Sequence, residues 1–158
     1  GQETPPAFRA RHPEAPGSRR RQVSDLPQEM ELELLQEFVI ECHGYLEQLE
    51  RDLAILDRDP GAIHNMKNAL RLFHSIRGCC GILSLERMGA VSQLSERVLV
   101  ETVNAGLKPS PVALSAVRDA GGAVKTILDG IEARGAEPPG DDDAVLAKLR
   151  SVLATRPE

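Results

Sequence analysis

Apolar residues recur every three or four positions from about residue 27 to the end of the chain. That spacing puts them on one face of successive α-helices. Leu35, Phe38, Cys42, Tyr45, Leu49, Leu53 and Leu56 form a continuous stripe, predicting a first helix from about Pro27 to Asp57. Ser24 or Asp25 is placed to cap it, Pro27 suits its first turn, and "DRDPG" stops it. A second helix is predicted from about Ala62 to Leu83 on Ile63, Met66, Leu70, Phe73, Ile76, Cys80 and Leu83. A third, from about Leu85 to Ala105, carries Leu85, Met88, Val91, Leu94, Val98 and Val103. "NAGLKPSP" ends it, with Ser110 as the next N-cap and Pro111 in the first helical position. A fourth helix then runs on Leu114, Val117, Val124, Leu128 and Ile131 to about Arg134, where Gly135 stops it. After the loop "AEPPGDDD", a short fifth helix is predicted from about Asp142 to Thr155 on Val145, Leu149 and Val152.

No strand pattern competes, and nothing repeats at a fixed period. The expected fold is therefore all-α: an up-and-down four-helix bundle with an additional C-terminal helix and a disordered N-terminal tail. The division follows as residues 1–25 for the tail, 26–135 for the bundle, and 136–158 for the acidic loop and appended helix. The first residues, "GQETPPAFRARHPEAPGSRRRQVS", hold almost no apolar anchor, hence the expectation of disorder.

Composition narrows the chemistry. At 41% hydrophobic but only 3% aromatic, the 158-residue chain must build its core from aliphatic side chains. A net charge of −5 argues against nucleic acid as a partner, because binding the phosphate backbone needs a basic footprint. The cluster "RRRQ" at Arg19 lies where no apolar pattern exists and reads as a solvated tail. No apolar run is long enough to cross a membrane and no signal peptide is visible, so the expected location is cytoplasmic. Three cysteines, two of them adjacent, make no disulfide framework and read as small packing residues. Metal is not expected either. Cys42 and His43 are neighbours that point apart on a helix, while His64 and His74 match no ligand spacing. The chain has no Gly-rich nucleotide loop and no nucleophile elbow, so it is not expected to catalyse a reaction alone.

One stretch departs from ordinary helix chemistry. "RLFHSIRGCCGILSL", residues 71–85, places Gly78 and Gly81 inside a helical pattern, where each costs about 1 kcal/mol relative to Ala. His74 projects about 100° or more from the apolar centre of this helix, towards solvent. Arg77, Gly78 and Gly81 follow it by three, four and seven residues and share its face. The expected surface is one imidazole, one guanidinium, and bare backbone where side chains would normally stand. Such clearance admits another protein to the ring, and Leu70 on its border would supply apolar contact. A neutral imidazole is a usable nucleophile near pH 7 when an acceptor holds the proton of its other nitrogen. Glu96 on the third helix is the acceptor the spacing offers. It lies about as far past the intervening turn as His74 lies before it, so antiparallel helices bring the two to one height. Glu101 is a less well placed substitute.

These residues resemble a known family. "FHSIRGCCGILSL" is similar to the phosphorylation motif of histidine phosphotransfer (HPt) domains, whose core is His-x-x-Lys-Gly. "LSERVL" resembles the second motif, in which a Glu on the adjacent helix follows the histidine by 22 residues, the His74–Glu96 separation. The resemblance spans about residues 27–155. With its extra helix, the chain looks most like the N-terminal phosphotransfer domain of CheA-type chemotaxis kinases. The resemblance implies that His74 accepts a phosphoryl group, Glu96 orients the imidazole and Arg77 is the phosphate-side cation. Gly78, Gly81, Leu70 and Gln93 would line the docking surface. It further implies two partners, a histidine kinase catalytic domain and a response-regulator receiver domain. ATP and Mg would then be held by the kinase domain, with no cofactor in this one. The chain departs from the pattern twice: Arg77 stands for the usual Lys, and Gln93 stands where such kinases often have a second histidine. The rival expectation is a helical interaction module that keeps the bundle and leaves the histidine unphosphorylated.

Overall fold

A computed structural model describes residues 27–155. Within them lie five helices: α1 (Gln28–Arg58), α2 (Ile63–Leu83), α3 (Glu86–Asn104), α4 (Pro111–Arg134) and α5 (Asp143–Ala154). Each boundary falls within one residue of the position that the apolar spacing, prolines and glycines predict. The N-terminal segment and the proposed caps Ser24 and Asp25 lie outside the described residues; in the structure Pro27 itself occupies the N-cap position of α1.

Local chemistry accounts for the breaks. The α1–α2 connection is a tight turn in which the Gly61 N–H donates to Asp59 Oδ1 at 3.1 Å. At the start of α4, Ser110 Oγ accepts from the Ala113 N–H at 3.1 Å, and Pro111 occupies the first turn, where no intrahelical N–H is needed. Gly135, at φ 72°, takes the left-handed conformation that closes α4 and turns the chain back towards α3.

The four long helices form a closed ring. α1 packs on α2 and α4, α3 packs on α2 and α4, and the diagonal pairs do not meet. α5 lies in the groove between α3 and α4, with Leu149 fully buried there. The core is aliphatic apart from Phe38 and Phe73. It is wider on α1 than the expected stripe: Val39 and Leu46 are buried, whereas Leu35 and Tyr45 are only half-buried. A helix wedged between two neighbours needs a broader apolar face than one packed on a single partner. Ile63, expected in the core, stays 48% exposed because it begins α2 beyond the reach of its neighbours. Alanines fill positions that a search for large apolar residues passes over: Ala69, Ala113, Ala116 and Ala120 are all buried. Their small volume lets helices approach closely.

Among the described residues the core holds one buried carboxylate. Asp52 on α1 is fully buried, and its Oδ1 accepts from Gln48 Nε2 at 3.2 Å and Asn65 Nδ2 at 2.9 Å. The Asn65 bond joins α1 to the start of α2. Its Oδ2 has no protein partner, so Asp52 tolerates no further loss. Replacing Asn65 by Ala should cost about 1–3 kcal/mol, the penalty for stranding a buried acceptor. Urea unfolding followed by circular dichroism measures this directly. An unchanged midpoint would mean that water reaches the carboxylate.

Candidate functional site

The site is built on the α2–α3 hairpin, whose turn is Ser84 and Leu85 alone. Ser84 takes φ 57° and ψ 38°, the sole positive-φ non-glycine among the described residues. The Leu85 N–H then reaches back to the Cys80 carbonyl at 3.0 Å, the closing bond of a Schellman motif. Just past the turn the helices nearly touch. A Cβ placed on Gly89 would sit 3.3 Å from Cys80 Cβ, so glycine is what lets α3 lie this close to α2. His74 stands nine residues before the last residue of α2 and Glu96 ten after the first of α3, and the two side chains meet.

His74 Nδ1 lies 2.6 Å from Glu96 Oε1. A carboxylate can only accept, so Nδ1 carries the hydrogen and donates it. The neutral ring therefore keeps its lone pair on Nε2. Phe73 and Ile76, 0% and 1% exposed, anchor the helix on either side of the histidine. The imidazole itself remains 61% exposed, while Glu96 is only 13% exposed. A largely buried acid thus holds an exposed ring by one nitrogen and leaves the other to solvent.

Arg77 reaches the acid as well as the ring. Its Nε lies 2.7 Å from Glu96 Oε2, and its Nη2 lies 3.3 Å from His74 Nδ1. Because Nδ1 already donates to Glu96, it cannot also accept from Arg77, and the second approach is a packing contact. The Nε contact is an ion pair by proximity, since the N–H does not point along the line to the oxygen. The guanidinium thus stands on the Nδ1 side of the ring and bears on the acid.

Gly78 is exposed, and a Cβ there would meet nothing within 4 Å. The chain's own packing does not require that glycine, so its effect is to leave the surface beside His74 low. Gly81 and Gln93 are both exposed, and with Arg77, Ser84 and Gly89 they line an open groove of about 460 Å³ between α2 and α3. Leu70, one turn before His74, is half-buried at the edge of the core. Glu101 is drawn towards Arg97 at 3.6 Å along its own helix. His74, Arg77, Gly78, Gly81, Gln93 and Glu96 lie along one hairpin, and the first two meet Glu96. What sequence reasoning missed is the support: Gly89 and Ser84, which set the register, and the Nδ1-side position of Arg77. The small residues of "RMGAVS" were the available signal for the first.

The Hpt domain family model matches residues 33–134, well over half of the chain. The chain belongs to the Hpt domain family. The Hpt domain is the class of helical bundle that carries a phosphoryl group on a histidine. Over 105 residues this chain is 27% identical to the sensor histidine kinase CheAY of Helicobacter pylori, a match covering 66% of the chain and 13% of that protein. The chain thus corresponds to a small part of that relative's length. Its fold is that of the phosphorylated P1 domain of CheA3, solved in complex with CheY6 from R. sphaeroides. That match has a TM-score of 0.73 at 20% identity and covers 78% of this chain and 97% of the other.

Near the Hpt hairpin, three thiols show no sign of activation. Burial pushes Cys42 up to about 12 and raises Cys80 further, while the half-exposed Cys79 is raised by partial burial and by Glu41. Tyr45 is also pushed up to about 12, chiefly because its hydroxyl donates to Glu41. These groups ionise later folded than unfolded. The stability that follows is fully present below the unfolded thiol value of about 9 and is lost as pH climbs from there towards 12. The domain should therefore unfold at lower urea concentration at pH 10 than at pH 7. In native protein at pH 8, Cys79 should be alkylated before Cys42 and Cys80, which peptide mass mapping reads. Prompt labelling of Cys42 would contradict its burial.

Proposed function

We propose that this domain carries a phosphoryl group on His74 Nε2 within a chemotaxis-type two-component system. It would take the group from ATP held by a histidine kinase catalytic domain and pass it to an aspartate of a response-regulator receiver domain. The observation that carries the reading is the 2.6 Å bond from His74 Nδ1 to Glu96, which fixes the tautomer and turns the Nε2 lone pair outward.

The step is a direct displacement. The Nε2 lone pair attacks the γ-phosphorus of ATP, the N–P bond forms, and the P–O bond to ADP breaks with its electrons leaving on ADP. The ring becomes cationic as the bond forms, and Glu96 steadies that charge through Nδ1–H. In the second transfer a receiver carboxylate attacks the same phosphorus, the N–P bond breaks, and Nε2 recovers its lone pair. Arg77 holds Glu96 in place before transfer. Its guanidinium, 42% exposed, would then be able to turn to a phosphoryl oxygen. The nucleotide and its Mg belong to the kinase domain, and this domain supplies none of the binding groups for them. Gly78, Gly81, Leu70 and Gln93 form the low surface on which both partners dock in turn. An approaching receiver of the CheY kind is supported by the complex in which the structurally similar P1 domain was solved. No helix among the described residues is long and apolar enough to cross a membrane, and the cytoplasm is where ATP and receiver domains would meet this one.

The test uses radiolabelled ATP and an active CheA-type kinase domain. The label should appear on the domain, be lost in acid and survive in base, and vanish in His74→Gln. Glu96→Ala should keep the site but slow labelling by about 10- to 100-fold, by analogy with the loss of a carboxylate behind a metal-bound imidazole. A folded domain that takes no label from a kinase proven active on another substrate overturns the proposal and leaves a helical interaction module. Label retained in His74→Gln overturns the assignment of the residue.

A further inference from the structure

On the opposite side of the bundle, three further groups converge that phosphotransfer does not use. His43 projects from α1, and Asp129 and Glu132 project one helical turn apart from α4. One ligand atom from each, the imidazole nitrogen and two carboxylate oxygens, lies within 4.8 Å of the others. The His43 Nε2 atom is already 3.1 Å from Glu132 Oε2. Two donors bound to zinc at about 2.1 Å and a tetrahedral angle stand about 3.4 Å apart, so this pair already has close to the required separation. Asp129 is exposed, and its carboxylate already lies within 4.8 Å of the other two donors. Spacing along the sequence hid the group, because its members come from helices 89 residues apart at His43 and Glu132.

We propose that His43, Asp129 and Glu132 form a surface site for a divalent cation of the zinc class that clamps α1 to α4. The donor set chooses the class. An imidazole suits borderline ions such as zinc, whereas magnesium and calcium take oxygen donors almost alone. The site is open: His43 is 35% exposed and Glu132 60% exposed, so water can complete a tetrahedron. Bound cation would also offset two carboxylates on a chain of net charge −5. Only the folded chain brings donors from both helices together, so binding raises the stability of the fold.

The experiment adds zinc chloride, without chelator or thiol reductant, to the purified domain. Thermal unfolding and the imidazole resonances are followed together. Zinc should raise Tm, and the His43 ring signals should shift to those of a metal-bound nitrogen. Asp129→Asn, an exposed change, should lose both effects with the fold intact, and His43→Gln should do the same. His64→Gln and His74→Gln should keep them. The proposal is overturned if Tm does not move, or if Asp129→Asn and His43→Gln respond as the parent does. It is also overturned if magnesium at the same concentration reproduces the shift.

Discussion

The separation of α2 and α3 beside Gly89 is the constraint on which the rest of the site depends. Any side chain at position 89 would press on Cys80, with a Cβ already 3.3 Å from its Cβ. A hydrogen bond has a narrow working range, and a carboxylate that retreats by even 1 Å from an imidazole no longer fixes its tautomer. The short turn acts with the glycine. With only Ser84 and Leu85 between the helices, the register has no slack, and the left-handed Ser84 sets the angle at which α3 returns. A non-glycine residue in that conformation costs about 1 kcal/mol or more. The closing bond to the Cys80 carbonyl and the burial of Leu85, 5% exposed, oppose that cost.

The same hairpin is braced from outside by the segment after α4. Arg87, in the first turn of α3, makes a bidentate pair with Asp142, at 2.9 Å from Nε and 2.8 Å from Nη2, and donates to the Pro138 carbonyl at 2.8 Å. Glu137 returns across the interface and accepts from the backbone N–H groups of Arg87 and Met88 at 2.8 and 3.0 Å. Those N–H groups are among the orphans every helix leaves at its start, and a carboxylate also suits the positive end of the helix dipole. The loop that looks merely acidic in the sequence is therefore a cap. It fixes the start of α3, and through α3 the height of Glu96. α5 completes the brace on the far side of the loop, where Lys148 reaches Asp119 at 2.6 Å. The fold of this chain is in that sense larger than the four-helix ring.

Much of this is legible in the sequence, for identifiable reasons. Helix limits can be read because their signals are local: a proline in the first turn, a glycine past the end, an apolar residue every third or fourth place. The meeting of His74 and Glu96 can be read because two straight helices joined by a short turn obey simple arithmetic of rise per residue. Contacts between distant segments leave no such trace. Glu137 lies 50 residues from the N–H it caps at Arg87, and Asp142 lies 55 from its guanidinium partner. Asp52, in a stretch rich in exposed acids, shows nothing in its sequence neighbours to mark it as buried. The side of the imidazole that Arg77 takes is a rotamer choice, settled by the low exposure of Glu96 and by its second oxygen.

Arg77 and Gly78, adjacent in sequence, divide the work around the ring. A long cation one turn from the histidine can lie on either side of the imidazole. On the Nε2 side it would cover the lone pair and compete with any incoming electrophile. Glu96 prevents that by offering a partly buried, charged partner on the Nδ1 side, an interaction stronger than any an exposed guanidinium finds in water. Gly78 then removes the next obstacle on the same face. The glycine does not serve the isolated bundle, since an alanine at 78 would meet no neighbour and would favour the helix by about 1 kcal/mol. That stability is given up directly beside the imidazole that Glu96 holds, on the face from which an incoming group would reach Nε2.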